Sequence, residues 1–294
     1  MIKACVCRKM FEAMCLAWKI FPGMHATRIH HWLARRGFQS PAFRWARDRY
    51  GSEFYLSPLL FLDRVILCGG VYDRTLHDAL ERLLKPGMTC FDVGANIGSV
   101  TMHLARLVWP DGKVYAFEPV TPIFERLTRH IERNGLTHVV SAQKLALAHM
   151  DGHATIAYAD PMTENQARGS LVNRHNSDVG LTEEVEVSRL DSFVTDHKID
   201  AVDLIKVDIQ GAEPLFIEGA TETLKRWAPL IFMEISPEDL RAAGATPVDI
   251  VRAMEALSYR AYEIDTPGAL RHLDAQTISE EYERPNVLFS KQDL

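Results

Sequence analysis

The chain has 294 residues, of which 47% are hydrophobic and 24% are charged, and its formal net charge is −6. These are ordinary values for a globular protein with a substantial core, and they exclude a disordered chain. The acidic balance argues against a nucleic-acid partner, because phosphate binding depends on clustered Lys and Arg side chains.

Residues 1–70 are predicted to form a helical extension rich in Trp and Arg, broken by Pro22-Gly23, Gly37 and Pro41. Charged residues interrupt its apolar runs before they reach signal-peptide length. The sequence also lacks the run of about 20 apolar residues that crosses a bilayer. An amphipathic helix would still leave peripheral membrane contact open. The five cysteines are scattered without zinc-like spacing, which indicates a reducing compartment, and we expect a cytoplasmic protein.

From residue 71 to residue 294 strands and helices alternate, and we expect one α/β domain. Strands are predicted at 89–94, 113–119, 139–147, 202–208, 229–235, 259–264 and 286–290, with helices at 74–87, 96–107, 121–134, 212–226 and 237–257. This alternation predicts βαβ units and a doubly wound, mostly parallel sheet.

Residues 148–190 break the alternation, with short strand-like pieces on either side of a polar stretch. An insertion of this size is uncommon as a plain connector. We expect a β-hairpin insertion whose loop covers the cofactor or contacts the substrate, and Asn165 and Ser170 are its candidate substrate contacts. A surface hairpin without a function is the alternative.

A glycine-rich turn follows the first strand of the domain, in "CFDVGANIGSVTMHLA". A dinucleotide fold places glycine where the backbone approaches a pyrophosphate, but Asn96 stands there, between Gly94 and Gly98. Asp92 lies two residues before Gly94, where it would repel an anion. Both features favour a ligand with positive character and without a pyrophosphate, and S-adenosylmethionine fits. Asp92 could equally be satisfied by the amides of the turn itself.

The next strand ends at Glu118, 20 residues after Gly98. A carboxylate at this point suits hydrogen bonds to a ribose diol. Because nicotinamide and methionine cofactors share that diol, Glu118 indicates a nucleotide without saying which one.

Five segments of the chain together resemble the FkbM-type family of S-adenosylmethionine-dependent methyltransferases. They are "FDVGANIGSVTMHLA", "KVYAFEP", "LIKVDIQGAE", "PLIFMEIS" and "PNVLF". The resemblance implies a class I, Rossmann-like fold with a seven-stranded sheet whose last strand is antiparallel. It also implies O-methylation of a hydroxyl on a sugar, glycolipid or secondary metabolite. Carried over by position, Asp92, Gly94, Asn96 and Gly98 would line the methionine end of the cofactor, and Glu118 the ribose.

The catalytic candidates come from the carboxyl ends of the strands, where open α/β sheets bind ligands. Asp208 ends the fourth strand and Glu213 follows it, although Asp208 could simply organise the turn and Glu213 could complement a helix dipole. Glu234 ends the fifth strand and is a weaker candidate, and Ser236 just after it is predicted to be the N-cap of the next helix. Lys206 should share a face with Asp208 and pair with a carboxylate.

Gln210 stands where the family usually has an acidic residue. Glutamine can hydrogen-bond a substrate hydroxyl, and we expect it to contact substrate, but it cannot accept a proton at neutral pH. The twelve histidines form no credible metal site, and we expect no metal.

The sequence therefore predicts an O-methyltransferase that acts on a small-molecule or glycan hydroxyl. One alternative is a non-catalytic cofactor-binding or scaffold protein with this fold, of which Gln210 would be a sign. The other is a nicotinamide-dependent oxidoreductase, which Asn96 disfavours.

Overall fold

The computed structural model describes residues 43–58, 60–160, 169–171, 180–264, 270–276, 278–279, 282 and 286–293. These residues fall into two compact units, one before and one after the junction between Tyr72 and Asp73. Whether the first unit acts as a separate domain stays a prediction.

The described part of the first unit contains two strands and one helix: β1 (Arg44–Arg47), β2 (Glu53–Leu56) and α1 (Phe61–Gly69). The strands pair antiparallel, so the expectation of a helical extension is wrong for residues 44–56. The reason is local, because the Asp48 carboxylate accepts hydrogen bonds from the N–H groups of Tyr50 and Ser52 at 2.9 and 2.7 Å. Such Asx-type contacts favour a turn over a helix.

Cys68 in α1 is disulfide-bonded. This bond is at odds with the reducing compartment that the cysteine pattern indicates. Cysteines at scattered spacings do not indicate which of them pair.

The second unit alternates strands and helices. Its elements in chain order are α2 (Arg74–Leu83), β3 (Thr89–Val93), α3 (Ser99–Val108), β4 (Lys113–Phe117), α4 (Thr121–Arg133), β5 (Val140–Gln143), β6 (Ala146–Leu147), β7 (Gly152–Tyr158), β8 (Gly169–Ser170), β9 (Leu181–Ser188), α5 (Leu190–Asp196), β10 (Leu204–Val207), α6 (Glu213–Gly219), α7 (Thr221–Trp227), β11 (Leu230–Glu234), α8 (Pro237–Ala242), α9 (Pro247–Ala256), β12 (Arg260–Ile264), β13 (Leu270–Leu273) and β14 (Asn286–Ser290). No helix within these described ranges is long and apolar enough to cross a membrane.

The main sheet has the strand order β13-β12-β14-β11-β10-β3-β4-β5. Strands β11, β10, β3, β4 and β5 pair in parallel, and β14 lies antiparallel between β11 and β12. This confirms the doubly wound, mostly parallel sheet with an antiparallel last strand. An eighth strand, β13, extends the expected seven by pairing antiparallel with β12. It escaped prediction because its sequence, LRHL, lacks a strand pattern.

The parallel strands are buried on both faces, as helices on both sides of a sheet require. Phe91 and Ile205 have no exposed surface, and neither has Ile231. The carboxyl ends of β3, β4, β10 and β11 meet at one edge of the sheet, where α/β folds bind ligands.

The insertion forms a second sheet with the order β6-β9-β7-β8. Strands β7 and β9 pair antiparallel along residues 152–158 and 181–187, which confirms the predicted β-hairpin. The strand predicted at 139–147 is divided between the sheets, because β5 pairs with β4 whereas β6 pairs with β9.

Candidate active site

The chain leaves β3 through a turn in which Gly94, Asn96 and Gly98 all have positive φ, at +78°, +49° and +92°. A Cβ atom at Gly94 would lie 1.9 Å from the carbonyl oxygen of Asp208. No side chain can occupy that space, so the glycine lets the loop after β10 approach the turn after β3.

The backbone N–H groups of this turn are hydrogen-bonded to acceptors within the protein. Each N–H from residue 94 to residue 98 donates to a protein acceptor: Gly94 and Ala95 to the Phe117 carbonyl, Asn96 to Glu118 Oε2, Ile97 to Asn96 Oδ1, and Gly98 to the Ala95 carbonyl. Pyrophosphate-binding turns instead present their N–H groups to the ligand. These internal hydrogen bonds therefore support the expectation, drawn from Asn96, that the ligand of this turn has no pyrophosphate.

Asp92 lies beneath the turn without exposed surface. Its Oδ2 accepts a hydrogen bond from Thr101 Oγ1 at 2.6 Å, and its Oδ1 lies 3.6 Å from Lys206 Nζ. Burial raises the pKa of the Asp92 carboxyl, against the opposing influence of Lys206 and Thr101. Because it is enclosed, Asp92 would support the turn from below, and direct cofactor contact stays a prediction.

Glu118 joins the end of β4 to the turn. Its Oε1 accepts from the N–H of Val120 at 3.0 Å and its Oε2 accepts from the N–H of Asn96 at 3.1 Å. Burial raises the pKa of Glu118 to about 7. Each carboxylate oxygen can accept a further hydrogen bond, so these contacts are compatible with the predicted ribose contact.

Lys206 is the buried cation of the site. Its Nζ lies 3.2 Å from the Gly94 carbonyl, 3.2 Å from Asp208 Oδ2 and 3.6 Å from Asp92 Oδ1, which confirms the predicted carboxylate pairing. Burial would lower the pKa of this ammonium, but the charges of Asp208 and Asp92 raise it overall. Among the described residues no group of three or more His, Cys, Asp or Glu side chains could hold a metal ion.

Asp208, Gln210 and Glu234 form a bridged set beside Lys206. Gln210 Nε2 lies 3.1 Å from Asp208 Oδ1 and 3.0 Å from Glu234 Oε2. Burial works to raise the pKa of Asp208, but Lys206 and the surrounding hydrogen bonds lower it overall. Burial and the Asp208 charge raise the pKa of Glu234 to about 10. These opposite directions favour the ionised form of Asp208 and the protonated form of Glu234.

The carboxyl group of Glu213 is not placed as a catalytic base would be, because it is buried and bonded to backbone N–H groups of its own loop. Its side chain is buried, and Oε1 accepts hydrogen bonds from the N–H groups of Ile209 and Gly211 at 3.2 and 3.3 Å. Burial raises the pKa of Glu213 to about 7. These contacts close the loop after β10, so the geometry favours a structural role, and a catalytic role stays a prediction.

Of the predicted substrate contacts, Ser170 and Gln210 come together, and Asn165 lies outside the described residues. Ser170 is buried and its Oγ donates to the Gln210 carbonyl at 2.8 Å. The insertion thereby contacts the loop after β10.

The sequence alone did not reveal a second anchor of the insertion, Glu183 on β9. Its carboxylate accepts from the N–H of Thr121 at 3.1 Å and pairs with Lys144 at 3.1 Å. No local pattern distinguishes Glu183 from the other charged residues of β9.

The strand order and the glycine turn, with an acidic residue closing each of β4, β10 and β11, define a class I, Rossmann-like methyltransferase domain. The chain belongs to the methyltransferase FkbM domain family, which matches residues 92–261.

Three relatives support this assignment. Over 198 residues the chain is 27% identical to "31-O-demethyl-FK506 methyltransferase FkbM" of Streptomyces tacrolimicus, covering 58% of this chain and 70% of that protein. Over 176 residues it is 28% identical to "2-O-methyltransferase NoeI" of Sinorhizobium fredii, covering 56% and 70%. Over 155 residues it is 25% identical to "Methyltransferase sdnD" of Sordaria araneosa, covering 45% of this chain and only 60% of the relative.

Proposed function

We propose that this protein is an S-adenosylmethionine-dependent O-methyltransferase whose acceptor is a hydroxyl of a sugar, glycolipid or secondary metabolite. Membership of the FkbM domain family supports methyl transfer. The names of two relatives, a 31-O-demethyl-FK506 methyltransferase and a 2-O-methyltransferase, support oxygen as the atom that is methylated.

The internal bonding of residues 94–98 carries the cofactor proposal. A turn whose N–H groups all have protein acceptors and which adjoins buried carboxyl groups is a poor site for a diphosphate and a suitable one for a cationic ligand. Asp92, Gly94, Asn96 and Gly98 would form the methionine end of the site, and Glu118 would receive the ribose. When bound, S-adenosylmethionine supplies an electrophilic methyl group on a sulfonium.

Asp208 is the group we propose to receive the acceptor's proton. Its side chain is 27% exposed whereas that of Lys206 is 6% exposed, so of this ion pair the carboxylate is the member that an acceptor can reach. The O–H group of the acceptor becomes strongly acidic as its oxygen gains a methyl group, because the oxygen then carries a positive charge. A carboxylate whose pKa is lowered can therefore still take its proton, and it stays ionised over a wide range of pH.

The first prediction concerns Asp208. We expect Asp208→Asn to retain S-adenosylmethionine binding but to lower methyl transfer about 100- to 10,000-fold, because an amide cannot accept the proton. Calorimetric titration measures the binding, and transfer of a labelled methyl group to a panel of hydroxylated acceptors measures the rate. Asp196→Asn, on the exposed end of α5, is the matched control.

Two outcomes would favour the alternatives. Cofactor binding without turnover on any acceptor would favour the scaffold protein of which Gln210 would be a sign. Binding of a reduced nicotinamide dinucleotide in place of S-adenosylmethionine would favour the oxidoreductase. A cytoplasmic location stays part of the proposal, although the disulfide at Cys68 does not support it.

A further inference from the structure

The loop after β10 inserts a side-chain amide between two carboxyl groups. Gln210 Nε2 lies 3.1 Å from Asp208 Oδ1 and 3.0 Å from Glu234 Oε2. One NH2 group has two donors and can serve both partners at once. The backbone of Gln210 is left-handed, at φ +54°, which a glutamine rarely adopts, and Ser170 donates to its carbonyl.

The Asp208 carboxylate is held at both of its oxygens. Lys206 Nζ lies 3.2 Å from Oδ2, whereas Gln210 contacts Oδ1. Asp208 is also hydrogen-bonded directly to Glu234. Rotation of the carboxylate would break at least one of these contacts, so the three side chains together hold its plane.

We propose that Gln210 is a positioning residue for methyl transfer, whose amide hydrogen-bonds both Asp208 and Glu234 and, with Lys206 and Glu234, fixes the carboxylate that receives the acceptor's proton. The inference rests on the proposed function, since it assigns Gln210 to the same reaction. It also gives a physical meaning to the departure from the family pattern. An ionised glutamate at this position could only accept hydrogen bonds, and it could not donate to the Asp208 and Glu234 carboxyl groups. The NH2 group of glutamine can donate to both of them.

The electrostatics of the surroundings agree with this arrangement. Burial and the Asp208 charge raise the pKa of Glu234 to about 10, whereas the pKa of Asp208 is lowered, so the two carboxyl groups depart from their ordinary values in opposite directions. The other titratable groups with a charge influence on Asp208, Glu234 or their partner Lys206 are Asp73, Asp92, Glu118 and Glu213.

Carboxyl NMR titration of the full chain labelled with ¹³C in Asp and Glu tests the inference, with Asp208→Asn and Glu234→Gln used for assignment. In the unsubstituted protein we expect Asp208 to titrate below the ordinary range. Gln210→Glu should raise its midpoint by about one pH unit or more, because a like charge is added. Gln210→Asn tolerates the left-handed backbone but is one methylene too short to bridge, and should raise the midpoint as well.

Gln276→Glu, on an exposed position, is the matched control and should leave the Asp208 midpoint unchanged. An ordinary midpoint in the unsubstituted protein, or an unchanged midpoint in both Gln210 variants, would overturn the inference. Calorimetry with S-adenosylmethionine separates this failure from failure of the proposed function. A protein that shows the expected titration but does not bind the cofactor refutes only the function.

Discussion

Gly94 is the residue at which the turn and the loop after β10 approach each other most closely. The positive φ at this position favours a residue without a Cβ atom, and the nearby Asp208 carbonyl leaves no space for one. Glycine satisfies both requirements. Conformational freedom alone would explain a turn glycine, but the lack of space for a Cβ atom ties this one to the proposed site. Substitution should therefore affect both stability and ligand binding.

We expect Gly94→Ala to lower the free energy of unfolding by about 3 kcal/mol or more, because the backbones must separate to admit the methyl group. Cofactor binding should be lost with it. Gly135→Ala is the control, since Gly135 has φ +66° but a Cβ atom there would meet no heavy atom within 4 Å; it should cost about 1 kcal/mol. Equal losses in urea denaturation of the two variants would refute steric exclusion at Gly94.

At the scale of elements, α2 and α3 pack through a pair of buried histidines. The rings of His77 and His103 have centroids 4.6 Å apart, and both side chains are buried. Burial lowers the pKa of His77 to about 3 and that of His103 to about 4. The neutral form of both rings is therefore favoured in the folded protein above about pH 5.

This burial means that the two histidines, taken by themselves, lower the stability in mild acid. An unfolded histidine takes up a proton near pH 6.5 whereas the folded one does not, so each should cost about 2 kcal/mol between pH 7 and pH 5. Glu118 and Glu213, whose pKa values are raised to about 7, and Glu234, whose pKa is raised to about 10, act in the opposite direction. The informative quantity is thus the difference between variants.

We expect the change in stability between pH 7 and pH 5 to be more favourable in His77→Phe than in the unsubstituted protein by about 2 kcal/mol, whatever the stability of the variant at pH 7. The exposed His149 provides the control, since His149→Phe should keep the original pH dependence. Parallel curves for His77→Phe and the unsubstituted protein in chemical denaturation would contradict the assignment of a neutral buried ring.

At the scale of the whole molecule, β14 holds two parts of the main sheet together. It lies antiparallel between β11 and β12, and Val287, Leu288 and Phe289 have no exposed surface. Without β14, neither β12 nor β13 would connect to the parallel strands. The stability of the second unit should therefore depend strongly on these few residues.

We expect Leu288→Ala to lower the free energy of unfolding by about 2 to 5 kcal/mol, as for other fully buried leucines. Leu181→Ala, at a side chain that is 41% exposed, should change it by less than about 1 kcal/mol. Urea titrations followed by circular dichroism give both values. If both variants lowered the free energy of unfolding by a similarly small amount, β14 would not be an essential part of the sheet.

Much of this architecture could be predicted because its signals are local. The apolar runs of β3, β10 and β11 mark buried strands, and the two-residue period of a strand predicts that Lys206 and Asp208 share a face. The predicted N-cap at Ser236 is confirmed as well, since its Oγ accepts from the N–H of Asp239 at 3.4 Å.

The features that escaped prediction depend on which distant segments meet. The contacts of Gln210 with Asp208 and Glu234 could be predicted only by knowing that the ends of β10 and β11 lie side by side, and the contact of Ser170 only by knowing where the insertion folds back. The strand β13 depends in the same way on the presence of β12 beside it. No residue pattern within these segments carries that information.

The central place of β14 also bears on the order of events during synthesis. Its residues are translated after those of both neighbouring strands, so when β11 and β12 have left the ribosome, the strand that joins them in the sheet is still missing. Until residue 290 emerges, the β11 edge of the parallel sheet therefore presents unpaired backbone and apolar side chains. Truncated translation products of this chain should therefore aggregate even when all of the proposed catalytic residues have already been made.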